Sequence, residues 1–259
     1  MLKAVILAGG LGTRLSEETE IKPKPLVEIG GKPILWHIMK YLSFYGIKHF
    51  YICCGYKGYL IKEYFSNYQR HSSDIEVDTK KGRIKILKKN NEDWKVSLID
   101  TGVNTMTGGR LLRLKNYLKK DENFLFTYGD GLSNVNIKKL LEFHKKHRKI
   151  ATVTAVTPPG RYGALIMNKK NNRVQEFVEK PRGDDGYING GYFILNKKVF
   201  SYLENDNTVW EKKPLENLSK DQELYAFKHS GFWQAMDTLR EKHYLNTLWN
   251  SGKAKWLKW

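Results

Sequence analysis

A short apolar run close to the N-terminus, ending in a cluster of glycines, restricts the fold more than any other feature of this chain. Residues Ala4 to Ala8 are all apolar, which is typical of a parallel strand buried on both faces. Gly9, Gly10 and Gly12 follow within four residues. Glycine has no Cβ, so the backbone can turn sharply there and bring its N–H groups close to a bulky anion. The pattern predicts an α/β sheet whose first strand ends either in an anion site or in a plain tight turn.

Basic side chains next to this turn favour the anion site. Arg14 carries a guanidinium fork that matches phosphate oxygens, and Lys22 and Lys24 follow it closely. The glycines alone would also fit a strand–helix turn without a ligand. A P-loop would close with Gly-Lys-Ser or Gly-Lys-Thr, and a dinucleotide fingerprint would need glycine in place of Leu15. The sequence has neither, so the expected ligand is a phosphate group held in a different kind of loop.

Alternating helix and strand patterns continue along the chain. Apolar spacing predicts a helix from Pro33 to Gly46, a strand from Ile47 to Cys54 and a second helix from Gly58 to Tyr68. This rhythm is typical of a doubly wound, mostly parallel, Rossmann-like sheet with helices on both faces. Three short strands between residues 74 and 99 predict a small strand-rich insertion outside the main sheet. Because no repeat or linker interrupts the pattern, we expect one domain over residues 1–259, with a C-terminal extension.

Composition limits the partners and the location. Lysine and arginine number 45 against 27 acidic residues, a formal charge of +18, but the lysines are scattered and form no arginine-rich run. We therefore expect the charge to favour small anionic substrates rather than nucleic acid. No stretch is long enough to span a bilayer and no signal-peptide pattern is present, so neither a membrane partner nor export from the cytoplasm is expected. Cys53 and Cys54 are adjacent in a predicted strand and point to opposite faces, which predicts packed, reduced thiols.

Two aspartates are candidates for a metal site, and each has a structural alternative. Asp130 follows the apolar run Phe124 to Tyr128, at the edge where open α/β sheets bind ligands, and a carboxylate there suits Mg²⁺. Gly-Asp-Gly can equally be a tight turn. Asp237 could cap the last predicted helix, or Thr238 could do so and leave Asp237 for the metal. Both alternatives stay open from the residues alone.

Three further polar residues are candidates for binding a substrate. Glu179 and Lys180 end another predicted strand, where a solvated strand end before a proline is the plain alternative. Asn189 precedes two glycines and offers an amide beside flexible backbone, which suits sugar hydroxyls or a simple turn. Seven scattered histidines show no zinc spacing, and no Ser-His-Asp arrangement stands out, so hydrolase and metalloprotease chemistry have no support.

Two blocks at the start of the chain resemble the signature of the sugar-1-phosphate nucleotidylyltransferase family. They are Gly9-Gly10-x-Gly12-Thr13-Arg14-Leu15 and, at a fixed distance, Lys24-Pro25-Leu26-Val27. Later blocks resemble the branch of the family that joins CTP to glucose 1-phosphate. These blocks are Cys53-Cys54-Gly55-Tyr56-Lys57-Gly58, Met106-Thr107-Gly108-Gly109-Arg110-Leu111, Thr127-Tyr128-Gly129-Asp130-Gly131 and Phe232-Trp233-Gln234. The likeness extends essentially from end to end, and residues 74–95 are its least family-like part.

The resemblance implies a reaction, a cofactor and an assembly. A phosphate oxygen of α-D-glucose 1-phosphate would attack the α-phosphorus of CTP, giving CDP-glucose and pyrophosphate with the help of Mg²⁺. In this family that product leads toward the CDP-dideoxyhexoses of surface polysaccharides such as O antigen. The resemblance also implies a homo-oligomer, possibly a hexamer. Positioning and neutralisation of charge would supply most of the catalysis.

The resemblance also assigns roles to individual residues. The expected catalytic residues are Arg14, Lys24, Asp130 and Lys180. Mg²⁺ would bind Asp130 and Asp237. The hexose and its phosphate would contact Gly163, Glu179, Lys180 and Asn189. The expected nucleotide-binding residues are Leu7, Ala8, Gly9, Gly10, Leu11, Gly12, Thr13, Arg14, Lys24, Thr105, Arg110 and Gly129.

Three other functions compete with this interpretation. The first is the same reaction with dTTP or UTP. The second is a non-catalytic sensor of sugar nucleotides on the same fold, although such a protein could dispense with the carboxylates and lysines that this chain retains. The third is a nucleic-acid-binding module, which salt-dependent binding of an oligonucleotide would support.

Overall fold

A computed structural model describes residues 2–88, 91–158 and 186–259, together with the backbone of two strands at 164–167 and 174–178. The strands are β1 (Ala4–Leu7), β2 (Glu28–Ile29), β3 (Lys32–Pro33), β4 (His49–Cys54), β5 (Asp74–Asp78), β6 (Arg83–Lys88), β7 (Lys95–Asp100), β8 (Asn123–Tyr128), β9 (Gly131–Ser133), β10 (Ala151–Val156), β11 (Ala164–Met167), β12 (Val174–Val178), β13 (Ile188–Asn196), β14 (Leu224–His229) and β15 (Trp233–Ala235). The helices are α1 (Ser16–Thr19), α2 (Ile34–Phe44), α3 (Gly58–Ser66), α4 (Tyr68–Ser72), α5 (Thr107–Leu112), α6 (Lys115–Leu118), α7 (Ile137–His147), α8 (Lys213–Lys220) and α9 (Leu239–Asn250). Short 3₁₀ helices occur at Thr13–Leu15, Lys24–Leu26 and Lys197–Tyr202.

One large sheet forms the centre of the described structure. In the described part of the chain, seven strands form it in the order β14-β10-β13-β8-β1-β4-β7. Neighbouring strands are parallel except at β13, which runs antiparallel to both β8 and β10. The prediction of a mostly parallel sheet is therefore confirmed. β1 lies between β8 and β4, so the loop that follows it is flanked on both sides by the ends of parallel strands.

Helices cover both faces of this sheet, as a doubly wound fold requires. One apolar cluster includes residues of α2, α3, α7 and α9, and the other includes residues of α5, α6 and α8. The adjacent cysteines at the end of β4 point to opposite faces of the sheet. Cys54 belongs to the first cluster and Cys53 to the second. Both thiols are buried and unbonded to each other, as the sequence predicts. Burial raises the pKa of the Cys54 thiol to about 11, so it stays protonated at neutral pH.

The strands between residues 74 and 99 differ from the prediction. β5 and β6 form a separate two-stranded ribbon, which agrees with an insertion. β7 instead joins the main sheet as an edge strand. It runs parallel to β4, and the pairing begins with Lys95 of β7 opposite His49 of β4. Its side chains are half-buried rather than fully buried, with Val96 and Leu98 packed against one core cluster and Ile99 against the other. An edge strand of this kind lacks the continuous apolar run that marks β1, and the sequence pattern alone does not separate it from the ribbon.

His37 makes the stability of the fold depend on pH. Its ring is fully buried, its Nε2 lies 2.8 Å from the Ile29 carbonyl, and Trp256 Nε1 donates to its Nδ1 at 3.3 Å. Both contacts fit only the neutral ring, and burial lowers the pKa of His37 from 6.5 to about 4. As the pH falls below 6.5, the unfolded chain therefore takes up a proton before the folded chain does. Between pH 7 and pH 5 this residue should cost the fold about 2 kcal/mol.

Urea unfolding of wild type and His37→Gln at the two pH values measures this effect. The variant should be less stable at pH 7 but should lose less stability on acidification than wild type. His71→Gln, which changes an exposed histidine, should keep the wild-type dependence. Equal slopes for wild type and His37→Gln would contradict the assignment.

Candidate active site

The carboxyl ends of β1, β4, β7 and β8 meet at one edge of the sheet, where they open into a cleft of about 550 Å³. The cleft is lined by residues 7–14, 24–25, 103–107, 110 and 128–130. Every residue that the sequence predicts to bind the nucleotide lies in this lining. The structure therefore brings together residues from four separate parts of the chain.

Close packing of the glycine loop explains its composition. Gly12 has a φ of +69°, a left-handed conformation that side chains disfavour. A Cβ on Gly9 would lie 2.2 Å from Arg110 Nη1, and one on Gly55 would lie 2.3 Å from the same atom. Gly129 is equally confined, because a Cβ there would lie 2.7 Å from the Leu7 carbonyl oxygen. The loop is thus held against its neighbours at a distance that only glycine permits.

Arg110 is the group that holds this loop in place. It is only 4% exposed, and its Nη2 donates to the carbonyls of Gly9 at 3.0 Å and Val103 at 3.1 Å. Its Nη1 donates to the Gly102 carbonyl at 2.7 Å and to Thr101 Oγ1 at 2.8 Å. Burial lowers the pKa of Arg110 below its ordinary value, which still leaves the guanidinium charged at neutral pH. Although Arg110 lines the cleft, these donors face backbone and hydroxyl oxygens of the protein.

Lys24 lies between the two candidate metal ligands. Its Nζ donates to Asp130 Oδ2 at 2.7 Å and to Asp237 Oδ1 at 2.6 Å. Arg14 Nη1 lies 2.9 Å from the other oxygen of Asp237. Burial of Lys24 acts to lower its pKa, but the two carboxylates outweigh it and hold the pKa above its ordinary value. Four predicted site residues therefore form one charged cluster at the mouth of the cleft.

A short antiparallel ladder explains why the two aspartates meet. β9 pairs with β15, with Gly131 opposite Ala235 and Ser133 opposite Trp233. Asp130 immediately precedes one strand and Asp237 follows closely after the other, so antiparallel pairing places them side by side. The Met236 N–H donates to the Asp130 carbonyl at 2.8 Å and extends the ladder to this point. The sequence pattern did not predict this pairing.

The last helix is capped by Thr238 and not by Asp237. Thr238 Oγ1 accepts from the Glu241 N–H, and Glu241 Oε2 accepts in return from the N–H of Thr238 at 2.9 Å. This capping box satisfies the start of α9 without the neighbouring carboxylate. Of the two alternatives that the sequence left open, the structure has the one in which Asp237 is available to the cleft.

The donor set of Asp130 and Asp237 fits a hard divalent cation. Two carboxylates already converge on one cationic group, the Lys24 ammonium, and Mg²⁺ is commonly bound by one or two carboxylates together with substrate phosphates. The side chains of Asp130 and Asp237 are 32% and 16% exposed, so both remain accessible to solvent. In residues 2–88, 91–158 and 186–259, no group of three or more His, Cys, Asp or Glu side chains is arranged to hold a metal, so any ion here would have only these two protein carboxylates.

The candidate sugar residues are only partly described. Gly163, Glu179 and Lys180 lie outside the described residues. Asn189 lies beside the cleft, where its Nδ2 donates to Tyr128 Oη at 3.3 Å and its Oδ1 accepts from the Gly191 N–H at 2.8 Å. The antiparallel register of β13 on β8 brings Asn189 to this position.

Six residues of the cleft wall had no role in the sequence analysis, and two of them, Tyr128 and Thr107, carry hydroxyl groups. Tyr128 ends β8 directly before Gly129, and Thr107 is the first residue of α5. The position of Tyr128 at the carboxyl end of a buried strand was the available indication, since ligands bind at that edge. Thr107 offered none, because a threonine at the start of a helix is ordinary.

No helix among the described residues is long and apolar enough to cross a membrane.

Comparison with known proteins confirms the resemblance. The family model for nucleotidyl transferases matches residues 3–243. A glucose-1-phosphate cytidylyltransferase of Salmonella typhimurium is 58% identical over 258 residues, covering 100% of both chains. A probable glucose-1-phosphate cytidylyltransferase of Bacillus subtilis is 46% identical over 259 residues, again covering 100% of both. The crystal structure of HddC from Yersinia pseudotuberculosis complexed with GMP-PN is 27% identical, with a TM-score of 0.69 over 96% of this chain and 100% of that one. This chain belongs to the nucleotidyl transferase family.

Proposed function

We propose that this protein is a glucose-1-phosphate cytidylyltransferase. A phosphate oxygen of α-D-glucose 1-phosphate forms a bond to the α-phosphorus of CTP, and the bond from that phosphorus to the β-phosphate oxygen breaks. The products are CDP-glucose and pyrophosphate. The names and full-length similarity of the two bacterial relatives support this choice of substrates.

The observation that carries this proposal is the charged cluster at the mouth of the cleft. Lys24 and Arg14 supply two cationic groups and Asp130 and Asp237 two carboxylates, all within 3 Å of a partner of opposite sign. Two like charges about 4 Å apart repel by about 4 kcal/mol at an effective dielectric of about 20. A sugar phosphate that approaches a triphosphate meets several such repulsions, and a site for this reaction must offset them.

Each part of the cleft has a task in this mechanism. The glycine loop presents backbone N–H groups to the nucleotide, with Thr13, Thr105 and Gly129 beside it. Arg14 is 72% exposed and can swing between Asp237 and a phosphate. Lys24 is 90% covered and remains close to the α-phosphate as charge develops on the leaving pyrophosphate. These groups hold the reactants in line and balance the charge of the transition state.

Asp130 and Asp237 would hold Mg²⁺ in this proposal. When bound, the ion neutralises phosphate charge beside the α-phosphorus. With both carboxylates committed to the ion, the Lys24 ammonium would contact phosphate. On the sugar side we propose that Lys180 binds the phosphate of glucose 1-phosphate, and that Gly163, Glu179 and Asn189 contact the hexose.

We also propose where the reaction takes place and by which part of the chain. Residues 1–259 would act as one catalytic domain, in the cytoplasm, where CTP is made and used. CDP-glucose is an activated sugar, so its consumer would be an enzyme that modifies the hexose of a nucleotide sugar, such as one on the route to the dideoxyhexoses of O antigen.

A nucleotide panel tests the choice of substrate. Purified protein, Mg²⁺ and glucose 1-phosphate are mixed with CTP, dTTP, UTP, GTP or ATP, and pyrophosphate release is measured. CTP should give the highest kcat/KM. Preference for dTTP or UTP would replace the proposed nucleotide while keeping the reaction. If the protein bound nucleotides but released pyrophosphate from none of them, the non-catalytic sensor of sugar nucleotides would be favoured.

We also propose that the protein is a homo-oligomer, and the ribbon of β5 and β6 supports this. On one face Ile75 lies opposite Ile86 and Val77 opposite Ile84, and three of these four side chains are 37 to 52% exposed. The other face carries charged pairs, such as Glu76 opposite Lys85. An isolated two-stranded ribbon with an apolar face is marginal in water, so further copies of the chain are expected to cover it. Hexamers are one assembly that this would allow.

Light scattering after gel filtration measures the assembly. Wild type should be oligomeric, and Val77→Lys/Ile84→Lys should shift it toward the monomer because the charges fall on the apolar face. Glu76→Gln, on the opposite face of the same ribbon, should stay oligomeric. A monomeric wild type at tens of micromolar would refute the proposal.

A further inference from the structure

Glu211 joins two walls of the cleft. It lies in the loop between Trp210 and α8, and neither the motifs nor the reaction proposed above give it a task. Its Oε1 accepts from Tyr128 Oη at 2.6 Å, and its Oε2 accepts from Thr107 Oγ1 at 2.6 Å. Hydroxyl-to-carboxylate bonds of this length are charge-assisted and strong. Tyr128 and Thr107 both line the cleft, one at the end of β8 and the other at the start of α5.

The bond to Thr107 fixes the nucleotide side of this bridge. Thr107 Oγ1 donates its proton to Glu211 and accepts from the Trp210 N–H at 2.9 Å, so the hydroxyl has a defined direction. The N–H groups at the start of α5 are also occupied, since those of Gly108 and Gly109 donate to the Thr208 carbonyl at 2.9 and 3.1 Å. The wall beside Met106 and Arg110 is therefore tied to the segment that carries Glu211.

The bond to Tyr128 fixes the other side. Because the Tyr128 proton points to Glu211, the phenolic oxygen is left to accept from Asn189 Nδ2. The amide oxygen of Asn189 accepts from the Gly191 N–H, so both ends of the amide are specified. Gly191 also packs against the tyrosine ring, where a Cβ would lie 2.8 Å from Tyr128 Cδ2. Burial, followed by the Glu211 carboxylate, raises the pKa of Tyr128, which keeps its proton in place for this bond.

We infer that Glu211 is a positioning residue. Through Tyr128 it holds Asn189 on the sugar side, and through Thr107 it holds the start of α5 on the nucleotide side, so that the two walls of the cleft keep a fixed position relative to each other. The inference rests on the proposed function in assigning Asn189 to the hexose. Without the carboxylate, the tyrosine proton is free to turn toward other acceptors, and the Asn189 amide loses its fixed direction. The two substrates would then be held by walls that no longer share a rigid link.

A thermodynamic cycle tests the bridge without any substrate. Tyr128→Phe and Glu211→Gln should each raise the equilibrium constant for unfolding about tenfold, because each removes a hydrogen bond to a charged group. The double variant should stay within about threefold of Glu211→Gln, since both changes remove the same bond. If the equilibrium constant for unfolding of the double variant instead rose about a hundredfold, the product of the two single effects, the inference would be overturned. This outcome does not depend on which substrates the enzyme uses.

Steady-state kinetics test the positioning. Tyr128→Phe should raise KM for glucose 1-phosphate about fivefold and leave KM for CTP within about twofold, because only the Asn189 side is released. Glu211→Gln should raise both KM values, because both walls are released. Equal effects of the two variants on both substrates would overturn the inference. If wild type uses a different sugar phosphate, the proposed substrate fails, and the same comparison is made with the sugar phosphate it does use.

A second tyrosine–carboxylate pair supplies the control. Tyr202 Oη donates to Asp221 Oδ2 at 2.8 Å, and neither residue lines the cleft. Tyr202→Phe should leave both KM values as in wild type. A selective increase in KM for glucose 1-phosphate in Tyr202→Phe would mean that the effect of Tyr128→Phe is not specific to the bridge, and would also overturn the inference.

Discussion

Asp130→Asn should lower kcat at least about a hundredfold while the protein stays folded. The amide keeps the size of the side chain but removes a negative oxygen that faces Lys24 at 2.7 Å. Lys24 retains Asp237, so the ammonium is not left without a partner in the folded state. Pyrophosphate release measures the loss, and circular dichroism during heating checks the fold. Binding of Mn²⁺, followed by electron paramagnetic resonance, should weaken in parallel.

Asp121→Asn is the matched control. Asp121 precedes β8 and lies 2.7 Å from Lys3, so it forms a similar lysine–aspartate pair at the opposite end of the same strand. Its amide variant should keep wild-type turnover. Wild-type turnover in Asp130→Asn would rule out the metal role of Asp130 and remove the main support for the mechanism.

Arg110→Met should lower the free energy of unfolding by about 3 kcal/mol or more. The methionine fills similar space but has no donors, so the Gly9 carbonyl loses its partner in a buried position, and the carbonyls of Gly102 and Val103 lose theirs in half-buried positions. Urea unfolding measures the loss. Because the same guanidinium holds the glycine loop, CTP binding measured by calorimetry should weaken as well, even under conditions where the variant is fully folded.

Arg113→Met gives the comparison. Arg113 lies one turn further along the chain and forms an exposed ion pair with Asp206 at 2.6 Å. Exposed pairs contribute little, so this variant should unfold close to the wild-type urea midpoint. If Arg110→Met were as stable as Arg113→Met, the donors of Arg110 would be serving a ligand instead of the loop.

The architecture could be predicted from the sequence because it follows from repeating patterns, whereas the members of the cleft were assigned by the family resemblance. The apolar run of β1, the alternation of strand and helix and the glycine turn mark the edge of the sheet where polar residues collect. α2 (Ile34–Phe44), β4 (His49–Cys54) and α3 (Gly58–Ser66) lie within the predicted ranges and end within two residues of the predicted boundaries. The roles of the site residues stay predictions until the variants above are measured.

The remaining features come from strands that are too short to show such a pattern, or from residues that are far apart in the sequence. β9 and β15 have three residues each, fewer than an alternation needs to be recognised, yet their pairing brings Asp130 to Asp237. β7 is an edge strand with mixed burial and was therefore grouped with the ribbon. Nothing in the sequence distinguishes an arginine that faces a ligand from one that faces backbone carbonyls, and the direction of Arg110 became visible only in three dimensions.

The separation of Lys24 from Asp237, 213 residues along the chain, has a consequence for biosynthesis. The glycine loop and the first parallel strands emerge early from the ribosome, but the second carboxylate arrives with the last tenth of the polypeptide. The residues that line the cleft, all between 7 and 130, are thus synthesised long before Asp237 can complete the charged cluster with Lys24. Messages truncated ahead of β15 would yield polypeptides that contain every residue of the cleft lining but lack Asp237.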